Sequence, residues 1–335
     1  METLSDFGSV SFFGISTFTT GIYNAWISFD DLALANQLSF YLLIFILGLF
    51  ILENLSRKKA QYHSPSKGGF KKKSLTTLYG FKAWLAFLFC FLVFFISFLF
   101  PVLQMLYWTV IFPKHLADLN LFELFSNTII LVLLSSIVLI GFAFISNYGN
   151  RLSRSKFLEI LTTFSISGYA IPGIILAVAF ITFISWFDNN IINLFEIRNI
   201  KSIFIGSILG LVVVYFIRFY SLASNGIKSG YLKINYSIDE SAYLLGYSKF
   251  KTFKNIHIPY LKNSIMLIGI LIAIEIIKEL PITLIMRPFN FETFATQAYI
   301  FASQDLLEAA AAPSLFLILI ASFFILITSR YILKD

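Results

Sequence analysis

The chain has 335 residues, of which 58% are hydrophobic and only 13% charged, with a mean hydropathy of +0.83 and a formal net charge of +7. Such values exclude a soluble globular domain and define a multispan membrane protein. A single cysteine, Cys90, in an apolar run, excludes a disulfide framework and reads as a packing residue. His63, His115 and His257 fall in three separate polar segments, read as solvated loop residues, and assemble into no catalytic or metal constellation; any metal ligand set is unknown.

In chain order, the amino terminus carries Glu2 and Asp6 where a targeting signal would carry basic residues and an apolar core. A bilayer-crossing helix needs about 20 apolar residues, and seven stretches qualify, at 38–55, 84–108, 123–146, 158–185, 203–222, 263–280 and 312–330. Basic residues gather in every second connection: Arg57 to Lys82, then Arg151, Arg154 and Lys156, then Lys228 to Lys262, with Arg330 and Lys334 at the end. Lys and Arg accumulate in short cytoplasmic loops, so these face the cytoplasm and the first 37 residues lie outside. The positive charge is a topology signal and calls for no nucleic acid. The segment 57–83 is basic and rich in Gly, Ser and Pro, as expected of a cytoplasmic linker held against anionic membrane lipid.

An internal repeat relates the two ends. Thr17, Phe18, Thr20 and Tyr23 recur as Thr293, Phe294, Thr296 and Tyr299, 276 positions later; after a one-residue slip Asp30 meets Asp305 and Ser39 meets Ser314. The expected organisation is the tail of a first repeat over 1–56, the linker, and a complete second repeat over 84–335. On that reading the core of the first repeat is missing, and the chain is amino-terminally truncated.

The polar island 223–261 has the build of a stiff connection. Ser237 and Glu240 have capping-box spacing, predicting a short helix from about 238 with Ala242 and Leu245 on one face. Gly246 supplies a turn of positive φ, Ser248 a second N-cap, and Pro259 ends or bends the second helix. Two capped helices joined at a glycine make a knob that a partner groove can grip. Within or beside the spans, Arg218, Glu275, Lys278, Glu279 and Arg287 are candidates for a translocation pathway, because ionisable groups in a bilayer are costly. Glu275, Lys278 and Glu279 share a helix face; the plainer alternative has Lys278 neutralising a glutamate and Arg218 snorkelling to the inner interface. Pro172, between Gly168 and Gly173 in the fourth span, marks a kink or hinge.

Glu240-Ser241-Ala242, Gly246 and Ile256-His-Ile258-Pro259 resemble the EAA loop of permease subunits of binding-protein-dependent ABC importers, with Ser241 the one small-for-small departure. Tyr169-Ala-Ile-Pro-Gly173, Arg218-Phe219, Lys278 through Tyr299 and Ala302 through Ala310 resemble the ferric-iron branch of that family, and Met1-Glu-Thr-Leu4 resembles an internal methionine of its two-repeat members. The resemblance implies an all-α bundle of the type I importer permease, in the bacterial inner membrane, with the loop docked on a cytoplasmic ATPase dimer. It further implies import of Fe(III) delivered by a periplasmic binding protein. No G-x-x-x-x-G-K-[ST] phosphate loop occurs in the sequence, so ATP is expected to be bound and hydrolysed by the partner, with no cofactor on this chain and no enzymatic activity of its own. Thiamine, a polyamine or another small solute is the alternative cargo, and an ion-driven secondary transporter the alternative class.

Overall fold

The computed structural model describes residues 2–59, 77–153, 156–194 and 204–332. Most of the linker 57–83, His63, Arg154 and the segment 195–203, with Glu196, Arg198 and Lys201, lie outside the described residues. Among the described residues the chain is helical with no strand. In chain order come α1 Gly8–Phe12, α2 Phe18–Tyr23, α3 Leu32–Lys59, α4 Phe81–Phe94, α5 Phe100–Ile111, α6 Pro113–Ala117, α7 Leu121–Ser153, α8 Lys156–Ile166 and α9 Gly173–Leu194. Then follow α10 Ile208–Tyr231, α11 Tyr236–Leu244, α12 Lys249–Thr252, α13 Ile258–Lys278, α14 Pro281–Met286, α15 Phe294–Ser303 and α16 Leu307–Ile332. Among the described residues seven helical stretches are long and apolar enough to cross a bilayer. The protein is therefore an all-α, multispan membrane protein.

Two boundaries differ from the expected spans, besides the earlier start of the sixth, which belongs to a rod beginning at Lys249. The fourth stretch, 158–185, is broken: α8 ends, residues 167–170 form one 3-10 turn, and α9 restarts at Gly173 directly after Pro172. Pro172 has no N–H to continue the ladder, so the backbone breaks there. The fifth helix runs on to Tyr231, so residues 223–231, expected in the polar loop, continue α10 with Ala223, Ser224 and Ile227 buried.

Apolar burial does not drive helix association in lipid; close packing and interhelical hydrogen bonds do. α10 follows this rule. Gly226 lies where a Cβ would meet Ile268, and Gly230 where it would meet Leu261, both on α13. Ser224 and Tyr220 bond to Asn147 and Ser146 of α7. A first core of Leu131, Leu139, Tyr215, Phe219 and Ile272 joins α7, α10 and α13, with α9 at its edge. A second core, Ile22, Ala35, Leu42, Ile174, Ile175 and Val178, seats α9 on α2 and α3. The stretch Phe81–Ile111 stands apart with no buried residue, touching the bundle mainly through α5 and α16. Cys90 is exposed on it and packs on no core.

Candidate functional site

The loop region is built as two short helices and a continuous third. α11 starts two residues before the expected position: Asn235, in extended conformation, is its N-cap and accepts from the Ser237 N–H at 3.5 Å. Ser237 sits in the first turn, and its carbonyl accepts the Ser241 hydroxyl at 2.8 Å. The Ser237–Glu240 capping box does not form, because an Asn upstream takes the role first. Glu240 is left exposed, while Ala242 is buried. Gly246 has φ of +80° with nothing within 4 Å of an added Cβ, so it turns the chain in open space. Ser248 caps α12, accepting from the Lys251 N–H at 3.2 Å.

Pro259 does not end the helix as expected. α12 passes through a π turn at Phe253–His257 into α13, and Pro259 falls in the first turn after it, where the widened ladder removes the need for its missing N–H. Lys249 to Lys278 is one rod of 30 residues. Ile256 is half-buried; Ile258 and Pro259 are exposed.

What holds this knob is a cluster that the sequence did not disclose. Arg151, in the last turn of α7, places Nε 2.7 Å from Asp239 Oδ2 and donates through Nη2 to the Asn235 carbonyl at 3.1 Å. Its guanidinium lies over the Tyr236 ring, 4.3 Å from the centroid. His257 Nε2 lies 2.8 Å from the other Asp239 oxygen. His257 is fully buried, correcting its reading as a solvated loop residue: Tyr148, Tyr231 and Asp239 enclose it. Charges removed from water must be paired to be tolerated, and here one aspartate pairs two elements at once. Asp239 shares a face with buried Ala242, three residues on; that spacing was the one available signal. Opposite that face, Leu244 and Leu245 are 89% and 78% exposed and Phe250 73%. Leu245 was expected beside Ala242; as the C-cap of α11 it turns away.

At the other end of the rod the structure brings together Pro172, Arg218, Glu275, Lys278 and Glu279 around a cavity of about 690 Å³, with Asp6 and Tyr169 also on its wall. Arg218 Nε is 3.5 Å from Glu279 Oε2, both largely buried, so Arg218 pairs inside the bundle and does not snorkel. Glu275 and Lys278 pair at 2.9 Å one turn below, as a neutralising pair. Gly173 opens α9 where a Cβ would collide with Arg218 Nη1 and Glu279 Oε1. Arg287 does not join this group; it pairs with Glu292. Among the described residues no three His, Cys, Asp or Glu side chains converge as a metal site.

The fold is an all-helical membrane bundle that is similar to those of ABC transporter membrane subunits. Two solved structures share it over 74% of this chain. One, from a bacterial alginate ABC transporter in complex with an alginate pentasaccharide-bound periplasmic protein, has a TM-score of 0.59 at 16% identity and is covered over 94% of its chain. The other, from a bacterial ABC transporter involved in import of the acidic polysaccharide alginate, has a TM-score of 0.58 at 17% identity, covered over 95%. In sequence, the chain is similar to the Fe(3+)-transport system permease protein FbpB 2 of Haemophilus influenzae, 22% identical over 338 residues. The alignment takes in 100% of this chain but 64% of that protein's length. No family model matches the chain.

Proposed function

We propose that the chain is a permease subunit of an ATP-driven importer, with the 235–259 knob docked on a cytoplasmic ATPase and Fe(III) as cargo. The single observation that carries the coupling role is the exposed Leu244–Leu245–Phe250 surface on two capped helices, clamped from behind by Arg151, Asp239 and His257. A hydrophobic centre on a rigid, polar-rimmed knob is what a partner groove binds.

Mechanism follows from the rod. ATPase closure displaces α11 and α12. Asp239 passes the displacement to α7 through Arg151 and to the rod through His257. Thirty residues at 1.5 Å each make a lever of about 45 Å, and its far end carries Glu275, Lys278 and Glu279 against Arg218. Moving that end shifts Glu279 relative to Arg218 and the break at Pro172–Gly173, which alters the charged cavity. ATP acts on the partner chain. Iron as cargo is supported by the Haemophilus relative and by the ferric-iron resemblance, and it would be handed over by a periplasmic binding protein.

The test is reconstitution in vesicles with the cognate ATPase and binding protein, with uptake of labelled Fe(III), thiamine and a polyamine compared. ATP-dependent Fe(III) uptake is the expected result. Uptake of another solute instead would overturn the cargo, and uptake driven by an ion gradient with an inactive ATPase would overturn the class.

A further inference from the structure

Two arginine–carboxylate pairs lie largely buried in the bundle, and they are built differently. Arg151 makes hydrogen bonds of 2.7 Å to Asp239 and 3.1 Å to the Asn235 carbonyl. Arg218 Nε stands 3.5 Å from Glu279 Oε2, an ion pair without a hydrogen bond; Nε and Nη1 of Arg218 and Oε1 of Glu279 are buried and make none. Buried polar atoms left without a hydrogen bond are costly, and buried charges more so. Such a pair is loosely held and ready to exchange.

The pair is also not what joins its helices. One turn along, the Tyr215 hydroxyl of α10 meets Thr283 of α14 at 2.5 Å, and Thr283 in turn donates to the Glu279 carbonyl at 2.8 Å. This uncharged rung fixes the Glu279 backbone against α10 by itself. Gly173, at the start of α9, has no side chain where Arg218 Nη1 and Glu279 Oε1 come together. Three elements thus make room for a charge pair that their packing does not require.

Both charges line the cavity of about 690 Å³, whose other charged groups are Asp6, Glu275 and Lys278, the last two paired with each other. With three carboxylates against two cations, the wall favours a positive occupant. Arg218 keeps its charge at any physiological pH, so at rest it is itself the cation that Glu279 faces.

We propose that Glu279 is the carboxylate on which a cationic cargo rests in transit, and that Arg218 is a tethered stand-in for that cargo, closing the path to stray cations between cycles. A fixed guanidinium in a narrow polar path is an electrostatic barrier to free cations. When the rod moves, Glu279 parts from Arg218 and takes the cargo; when the rod returns, Arg218 displaces the cargo onward. The inference rests on the importer reading but not on iron, since Fe(III), thiamine and polyamines are all cations.

The test uses the chain reconstituted in vesicles with its ATPase, ATP and binding protein withheld, and follows the exchange of labelled Na⁺ and labelled Cl⁻ loaded inside. The unaltered protein should be tight to both. Arg218→Gln should pass Na⁺ about tenfold faster with Cl⁻ unchanged, the effect of removing one fixed charge from a low-dielectric path. Arg218→Lys, which keeps the charge, should stay tight. Adding Glu279→Gln to Arg218→Gln should return Na⁺ exchange to the unaltered level. Arg218→Met, apolar and of similar length, gives a second reading should the glutamine variant fail to incorporate. Tight vesicles with both neutral variants would overturn the proposal. So would equal gains for Na⁺ and Cl⁻, the mark of a packing defect, and so would a Na⁺ leak that survives Glu279→Gln. The readout needs no cognate solute, so its failure and that of the uptake assay are separate events.

Discussion

Arg151 Nε lies 2.7 Å from Asp239 Oδ2, tying the end of α7 to the buried face of α11 across 88 residues of sequence. The pair is the hinge pin of the proposed coupling region: without it α11 is held by the Asp239–His257 pair, the packing of Ile238 and Ala242, and its chain ends.

Arg151→Ala leaves Asp239 buried beside His257 alone. Breaking such a pair costs on the order of 3–5 kcal/mol, so thermal unfolding in detergent should shift to markedly lower temperature and transport should be lost. The exchanged double variant, Arg151→Asp with Asp239→Arg, should recover part of both. A purely packing role for Arg151 predicts no recovery.

Gly246→Val places a β-branched side chain at φ +80° in open space. Strain of about 1–3 kcal/mol falls on the turn between α11 and α12, so ATPase activity should uncouple from substrate while the spans remain folded. Gly246→Asn, tolerant of that φ, should behave nearly as wild type. Both can be read from substrate-stimulated ATPase rates with circular dichroism as the fold control.

Leu244→Ser with Leu245→Ser removes apolar surface that is almost wholly exposed in the chain. Stability of the isolated chain should change by less than about 0.5 kcal/mol, yet co-purification with the ATPase should weaken by tenfold or more if these residues anchor the interface. Unchanged co-purification would move the contact elsewhere on the knob.

Gly173→Val should separate Arg218 from Glu279, because its Cβ occupies their space. Transport should fall at least tenfold while ATPase binding persists, a loss located at the far end of the rod. Equal damage to ATPase binding would argue against a separate gate at that end.

Much of this protein is legible along the chain because the deciding forces are local. Twenty apolar residues in a row have one stable fate in a bilayer, as helices, so the class follows from composition and run length. Ser248 as a cap and Gly246 as a left-handed turn are settled within a few residues of themselves. Even the Thr17 and Thr293 capping boxes repeat their sequence match in their geometry.

Other features needed the third dimension. Asn235 outcompeted Ser237 as cap because the incoming chain held it in extended conformation, and the Asn235 carbonyl is itself held by Arg151. Arg151, read as one more topology charge, and His257, read as solvated, acquire partners only when α7, α11 and the rod meet. Arg218 likewise looks free to snorkel until Glu279, 61 positions on, faces it. Sequence alone thus determined which segments are apolar enough to span and where the Ser248 cap and the Gly246 turn fall, since those outcomes depend on chemistry within about one helical turn. Tertiary structure alone decided which buried charges pair and which helix faces meet, because desolvated charges and small-residue contacts are stabilised by groups far away in the chain.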